Sequence, residues 1–279
     1  KQKSRELYKA VHNLYERAVR KQSARREELA QSEKADTLRL YGELLQANQW
    51  AIQKGDRQAT VQNYYTGEDV TIRLDPRLGP NENAQKYFDK YGKMKRTAEA
   101  LNELILETKG QIDHLESIQN SLDIALSADD LVQIKDELIE YGFIKKGKGS
   151  KKQKVKSKPF HYISSDGFDM YVGKNNYQND ELTFKLATGN DWWFHAKGMP
   201  GSHVIVKAEN KELPDSTFEE AGKLAGYYSK GKNADKVEID YLQKKNVKKP
   251  NGAAAGFVVY YTNYSLTIHP DISDIRQIE

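Results

Sequence analysis

Apolar residues recur at intervals of three and four along most of the first half of the chain, which is typical of amphipathic helices. Residues 4–53 carry one such stripe, which lapses in its middle and then returns. Residues 83–126 carry a more regular stripe that only Thr108 and Gln119 interrupt. Two stripes of this kind have to cover each other, so we predict a long antiparallel helical coiled-coil hairpin.

The spacing changes between the two stripes, in an insert at about 55–82. Val70, Ile72 and Leu74 alternate with polar residues after a turn at 67–69, which predicts a small β-hairpin. A third helix is predicted over 127–141. The expected helix caps are Asn81 or Asn83 for the second helix and Ser127 or Asp129 for the third.

Residues 145–158 contain eight lysines and no acidic residue, so we expect a linker there. The predicted domains are therefore 1–144, the 145–158 linker and 159–279. The expected strands of the last domain are 160–164, 168–173, 191–195, 203–207, 237–243, 257–263 and 265–269. The expected helices are 180–187, capped by Asn179, and 216–229, capped by Asp215 or Ser216. Together these elements predict an α+β fold that combines the helical hairpin with a compact α+β domain.

Composition narrows the class of protein. Charged residues make up 30% of the chain and hydrophobic ones 38%, which suits an extended helical pair better than one globule. The absence of cysteine excludes disulfides and cysteine-ligated metals, and no apolar run is long enough to span a membrane. We expect a cytoplasmic protein without membrane contact, and a fragment of a longer one, because the chain begins inside a helical pattern.

The densest chemical signal is the block 191–206, which holds two tryptophans, two histidines and a turn containing Pro200 and Gly201. Such a turn can present amides to an anion, and the neighbouring rings can stack on bases. The alternative is that these aromatic residues are core. A nucleophilic triad lacks its surrounding motif and a zinc site lacks a third ligand, so we expect no enzyme activity, metal or cofactor.

A second signal is basic. Lysines at 244, 245, 248 and 249 follow a predicted strand, and together with the 145–158 segment they can track phosphates. The alternative is a charge run that is only solvated. The net charge of +4 does not decide between the two.

The segments 168–176, 179–180 and 191–206 resemble the RNA-binding domain at the C-terminus of NFACT proteins. The segments 41–48, 74–76 and 83–88 resemble the coiled-coil middle region of the same family. The resemblance implies binding of large-subunit ribosomal RNA and tRNA by a ribosome quality-control factor that rescues stalled nascent chains by alanine tailing. The domain most tied to tRNA handling lies outside this sequence, so tailing by this chain alone is not expected.

The resemblance, the 191–206 block and the lysine cluster together give a set of RNA-binding candidates: Lys174, Asn175, Asn176, Asp191, Trp193, His195, Lys197, Gly201, Ser202, His203, Lys248 and Lys249. The chain departs from the family pattern at 251–255, where two lysines and a proline are missing, so we expect weaker phosphate contact there. Relatives described as fibronectin-binding proteins suggest an alternative, an adhesin at the cell surface that binds fibronectin. A purely structural protein that dimerises through its helical stripes is a third possibility, and the oligomeric state is left open.

Overall fold

The computed structural model describes residues 2–151 and 154–278 and divides the chain into two compact units. The first, here called the hairpin unit, is Arg17–Gln111. The second, the sheet unit, combines Lys1–Glu16 with Ile112–Glu279. Within the described ranges, no helix has both the length and the apolar character that crossing a membrane requires. The predicted domain boundaries at 144 and 158 stay a prediction.

The first half of the chain is helical apart from one β-hairpin. Its elements are α1 (Gln2–Gln31), α2 (Ala35–Ala47), β1 (Gln58–Gln62), β2 (Asp69–Arg73), α3 (Pro80–Ile124) and α4 (Ala128–Glu140). The second half mixes strands and helices. Its elements are β3 (Phe160–Ile163), β4 (Asp169–Val172), α5 (Asn176–Glu181), β5 (Trp192–Ala196), β6 (Val204–Val206), α6 (Asp215–Tyr227), β7 (Val237–Gln243), β8 (Tyr264–Ile268) and β9 (Arg276–Gln277). The α+β class is confirmed.

Helices α1 and α3 run antiparallel. In the hairpin unit, Gln22 donates to the Ile105 carbonyl at 3.1 Å and Arg25 donates to the Leu104 carbonyl at 3.0 Å. Arg25 also donates to the buried hydroxyl of Thr108. A polar residue that interrupts the first stripe, Arg25, therefore contacts the polar residue that interrupts the second, Thr108, between the two helices.

The first stripe, over 4–53, is not one continuous helix. A 3₁₀ turn at Ser32–Lys34 separates α1 from α2, and α2 ends at Ala47. The Ser32 hydroxyl donates to the Leu29 carbonyl at 2.6 Å, and the Asn48 amide group donates to the Leu44 carbonyl at 2.8 Å. Short polar side chains that bond to the preceding turn in this way compete with the helical ladder.

Of the caps predicted for α3 and α4, only the one for α4 is confirmed. Ser127 caps α4 in a capping box with Asp130, as predicted. Asn83 does not cap α3, which begins at Pro80. Its side chain accepts from the Asp75 amide at 2.8 Å and donates to the Gly79 carbonyl at 3.1 Å, so it holds the preceding turn in place.

The predicted β-hairpin is confirmed, with β1 paired antiparallel to β2. Val61 and Ile72 are buried and pack with Leu44 and Leu45 of α2. The core of the hairpin unit is therefore a two-stranded ribbon seated on helices, which gives the ribbon the apolar cover that it lacks alone.

The sheet unit contains a seven-stranded antiparallel sheet in the order β8-β7-β5-β6-β4-β3-β9. Helix α6 packs on one face, over a core that includes Phe194, Val204 and Leu224. On the other face, Trp193 and Ile205 pack with residues of a π-helical turn, Leu182–Leu186, that continues α5.

Three details of the predicted α+β domain are wrong. Asn175 caps α5 instead of Asn179, and α6 starts at Asp215 without a side-chain cap. The predicted strand over 257–263 is a loop with one isolated bridge, between Lys248 and Val259. Side chains hold this loop instead of a ladder, because the Tyr260 hydroxyl donates to the Asp240 carboxylate at 2.6 Å.

Outside residues 152 and 153, which lie beyond the described ranges, the 145–158 segment carries no helix or strand. Its role as a linker and its binding to phosphates stay predictions.

Candidate nucleic-acid interface

Asn175 and Asn176 are buried at the start of α5. Asn175 is the N-cap, and its side-chain oxygen accepts from the Gln178 amide at 3.0 Å. The Asn176 amide group donates to the Ser117 hydroxyl and to the Glu137 carboxylate, each at 2.9 Å. Asn176 therefore joins α5 to α3 and α4, which is a structural position and not an open one.

Asp191 is a buried carboxylate at the start of β5. It accepts from the Thr188 amide at 2.8 Å, from the Ala208 amide at 2.9 Å and from the Lys207 ammonium at 2.6 Å. Burial alone would raise the pKa of Asp191, but these hydrogen bonds outweigh it and lower the pKa. The carboxylate is thus ionised and already occupied.

Trp193, His195 and His203 meet on the sheet face away from α6. The Trp193 and His195 rings stack with centroids 5.6 Å apart, and His203 meets Trp193 edge-on at 5.2 Å. Trp193 is only 1% exposed, so its ring is core and a base cannot stack on it in this conformation. His203 Nε2 donates to the Gly256 carbonyl at 3.0 Å, which leaves Nδ1 to accept from the Thr183 hydroxyl at 2.8 Å.

Burial lowers the pKa of both histidines. For His195, the carbonyls of Ala196 and Gly201 oppose the effect without cancelling it. For His203, the neighbouring His195 lowers the pKa further. Both rings are therefore neutral at pH 7, and neither supplies positive charge to a phosphate.

The turn that holds Gly201 and Ser202 also makes its contacts within the fold. Gly201 forms an isolated bridge with Ser229, and the Ser202 amide donates to the Tyr228 carbonyl at 3.0 Å. The Ser202 hydroxyl is buried and has no hydrogen-bond partner among the described residues. This turn packs against the end of α6 and does not present the Ser202 amide to solvent.

Two predicted lysines lie apart from this group. Lys174 is held in place, with its ammonium 3.5 Å from the Asp130 carboxylate and 4.7 Å from the Phe160 ring centre. Lys197 is half exposed and pairs with Glu238 at 3.1 Å. Each is therefore partly neutralised by an acidic neighbour.

The remaining predicted residues, Lys248 and Lys249, belong to a group of lysines of which two lie over one aromatic ring. The ammonium groups of Lys244 and Lys249 each lie 5.9 Å from the centre of the Phe184 ring. Such distances are typical of a cation–π contact. We define the lysine patch as Lys185, Lys244, Lys245, Lys248 and Lys249.

Lys185, Lys245 and Lys248 are exposed, whereas Lys249 is tied down. Its ammonium donates to the Asp180 carboxylate at 2.9 Å and to the Ala254 carbonyl at 2.8 Å. The same carboxylate oxygen accepts from the Gly256 amide at 2.8 Å. Lys249 therefore fixes the 250–256 loop, and the exposed lysines are the ones that can reach a phosphate.

Sequence reasoning picked out four of the five lysines in the patch and missed Lys185 and the central Phe184. Both lie in a segment predicted as an ordinary helix, where a phenylalanine followed by a lysine is too common to stand out. Only the approach of residues 244 and 249 to the π-helical turn reveals them. The RNA-binding role of the twelve candidates stays a prediction.

Comparison with known proteins gives a consistent assignment. Residues 1–158 match the family model described as NFACT N-terminal and middle domains, and residues 158–261 match the one described as NFACT protein RNA binding domain. The Rqc2 homolog RqcH of Streptococcus suis is 39% identical over 279 residues, covering 100% of this chain and 50% of that protein. The Rqc2 homolog RqcH of Bacillus subtilis is 38% identical over 284 residues, covering 100% and 49%. The chain thus spans about half the length of the curated relatives that it matches.

A solved structure shares the fold over nearly the whole chain. It is described as the C-terminal of the fibronectin/fibrinogen-binding protein from Streptococcus suis, with a TM-score of 0.79 and 35% sequence identity. The match covers 99% of this chain and 98% of that one.

Proposed function

Because the chain belongs to the NFACT family, we propose that its sheet unit binds RNA during ribosome quality control. The observation that carries this proposal is the lysine patch, which lies inside the segment matched by the family's RNA-binding domain. Exposed lysines can contact successive phosphates, and an aromatic ring in the same patch can contact a base. The patch requires no chemistry of its own, so the proposed activity is binding without catalysis.

The proposed partners are the large ribosomal subunit and tRNA, in the cytoplasm, during rescue of stalled nascent chains. The support comes from relatives named as Rqc2 homologs, which align over the full length of this chain. Alanine tailing is proposed for the longer protein and not for this half alone. Relatives from Streptococcus suis carry both an Rqc2-homolog name and a fibronectin/fibrinogen-binding description, so the adhesin alternative rests on a description and on no contact in the fold.

Filter binding of tRNA and of purified large subunits at several salt concentrations tests the proposal. We expect saturable binding whose affinity falls steeply and linearly on a logarithmic salt scale. Binding that is absent, or that does not respond to salt, would show that the lysines do not contact phosphate. Immobilised fibronectin in the same series tests the adhesin alternative, for which we expect no saturable binding.

A further inference from the structure

Four aromatic rings meet on the α6 face of the sheet, where β5, β7 and β8 lie side by side. Trp192 lies 4.9 Å from Phe218, 5.9 Å from Tyr241 and 6.1 Å from Tyr264, measured between ring centroids. Tyr241 and Tyr264 lie opposite each other in the sheet and stack at 5.5 Å. We call Trp192, Phe218, Tyr241 and Tyr264 the aromatic cluster.

The aromatic cluster reaches the surface at the edge of the sheet. Strand β8 is the terminal strand of the sheet, and its Tyr264 is 62% exposed. Trp192, Phe218 and Tyr241 are partly buried and pack against the core, so they hold their positions beside the exposed Tyr264. Phe194, fully buried, stacks on Tyr241 at 5.4 Å and supports the cluster from the core.

The border of the aromatic cluster is acidic. Asp215 and Phe218 are three residues apart on α6, and Glu219 is four residues from Asp215, so the three share one side of the helix. Burial, Tyr264 and the Asp215 charge together raise the pKa of Tyr241. Glu219 has Lys223 at 3.9 Å, whereas Asp215 is exposed.

We propose that the aromatic cluster and Asp215 bind an arginine or lysine side chain of a basic protein segment. The faces of aromatic rings carry negative potential and attract a guanidinium or ammonium group, and a nearby carboxylate adds charge complementarity. The same carboxylates repel phosphate, so this surface does not suit RNA. The site goes beyond RNA binding by the lysine patch, and it would give the domain a second contact of the opposite charge.

An octa-arginine peptide is a direct probe of this surface, titrated into the 279-residue chain by isothermal calorimetry. Tyr264→Ala removes the exposed ring, and Asp215→Asn removes the charge at nearly constant shape. We expect Tyr264→Ala to weaken peptide binding about threefold to tenfold, the range of a partly exposed cation–π contact. We expect Asp215→Asn to weaken it about threefold to fivefold, the upper range of an exposed ion pair.

Matched controls are available on the same unit. Tyr261 is 89% exposed and outside the cluster, and Asp274 is an exposed acid elsewhere on the same unit. Tyr261→Ala and Asp274→Asn should leave peptide binding within about twofold of the original value. Thermal unfolding of all four variants checks that they fold.

Two results would overturn the proposal. The first is peptide binding that is absent, or that the cluster variants and their controls weaken equally. The second is a loss of affinity for a single-stranded RNA oligonucleotide in Tyr264→Ala without a loss for the peptide, which would assign the surface to RNA. Neither result bears on RNA binding by the lysine patch, which the tRNA titration tests separately.

Discussion

Replacing Lys244, Lys245 and Lys248 by alanine removes three positive charges from the lysine patch while sparing the core. Lys245 and Lys248 are exposed, and the Lys244 ammonium lies over the Phe184 ring, 5.9 Å from its centre. Lys249 is left in place because its ammonium holds the 250–256 loop through Asp180. The triple variant should therefore keep its fold and lose only phosphate contacts.

The size of the loss follows from counterion release. Each lysine–phosphate contact contributes about 0.7 to 0.9 to the slope of log affinity against log salt. Loss of three contacts should lower that slope by about 2 to 3. At about 0.15 M salt each released counterion is worth roughly fivefold in affinity, so the affinity should fall by up to about 100-fold.

Fluorescence anisotropy of labelled tRNA, repeated across a salt series, measures both quantities. The control is Lys211→Ala, Lys230→Ala and Lys236→Ala in one chain, which removes the same charge from other exposed positions of the sheet unit. If the control loses as much slope as the patch variant, net charge and not the patch determines binding. If the patch variant keeps its slope, the patch does not contact phosphate.

Three further outcomes test the structural roles assigned to neighbouring residues. Trp193→Ala should cost about 3 to 5 kcal/mol in chemical denaturation, whereas Trp50→Ala, at a position 85% exposed, should change stability by less than about 0.5 kcal/mol. Gly256→Ala should cost more than about 1 kcal/mol in the same assay, because its φ is +81° and a Cβ there would meet a buried amide oxygen at 2.4 Å. His195 and His203 have lowered pKa values, so the unfolded state binds protons more readily, and stability should fall as pH drops below about 6.5. A flat stability profile between pH 7 and about 5 would contradict the neutral state of the two histidines.

Patterns that depend on neighbours in sequence were predictable here. The seam of α3 follows from apolar residues repeated every three or four positions, and β2 follows from Val70 and Ile72 alternating with polar residues. The capping box at Ser127 also lies within four residues. In these places local spacing alone determines which groups can meet.

Roles that depend on distant partners were not predictable. From the sequence alone Lys249 is predicted to bind phosphate, but its ammonium is bound by Asp180, which lies 69 residues away along the chain. Trp192 and Trp193 are the same residue type at adjacent positions, so the sequence does not show which of them is buried. Trp192 packs on the α6 side, and Trp193 is core because it packs with the π-helical turn on the other side. Polar residues in a segment that resembles a binding motif can thus hold the fold together instead of contacting a ligand.

The polar contact between Gln22, Arg25 and the α3 backbone has a consequence for alignment. Two apolar stripes with a heptad spacing can slide past each other by one repeat, about 10 Å, and still bury similar area. A slip would separate Arg25 from Thr108, and the buried Gln22 amide group would lose its hydrogen bond to the Ile105 carbonyl. These few polar residues therefore favour one register of α1 against α3 over the registers shifted by one repeat.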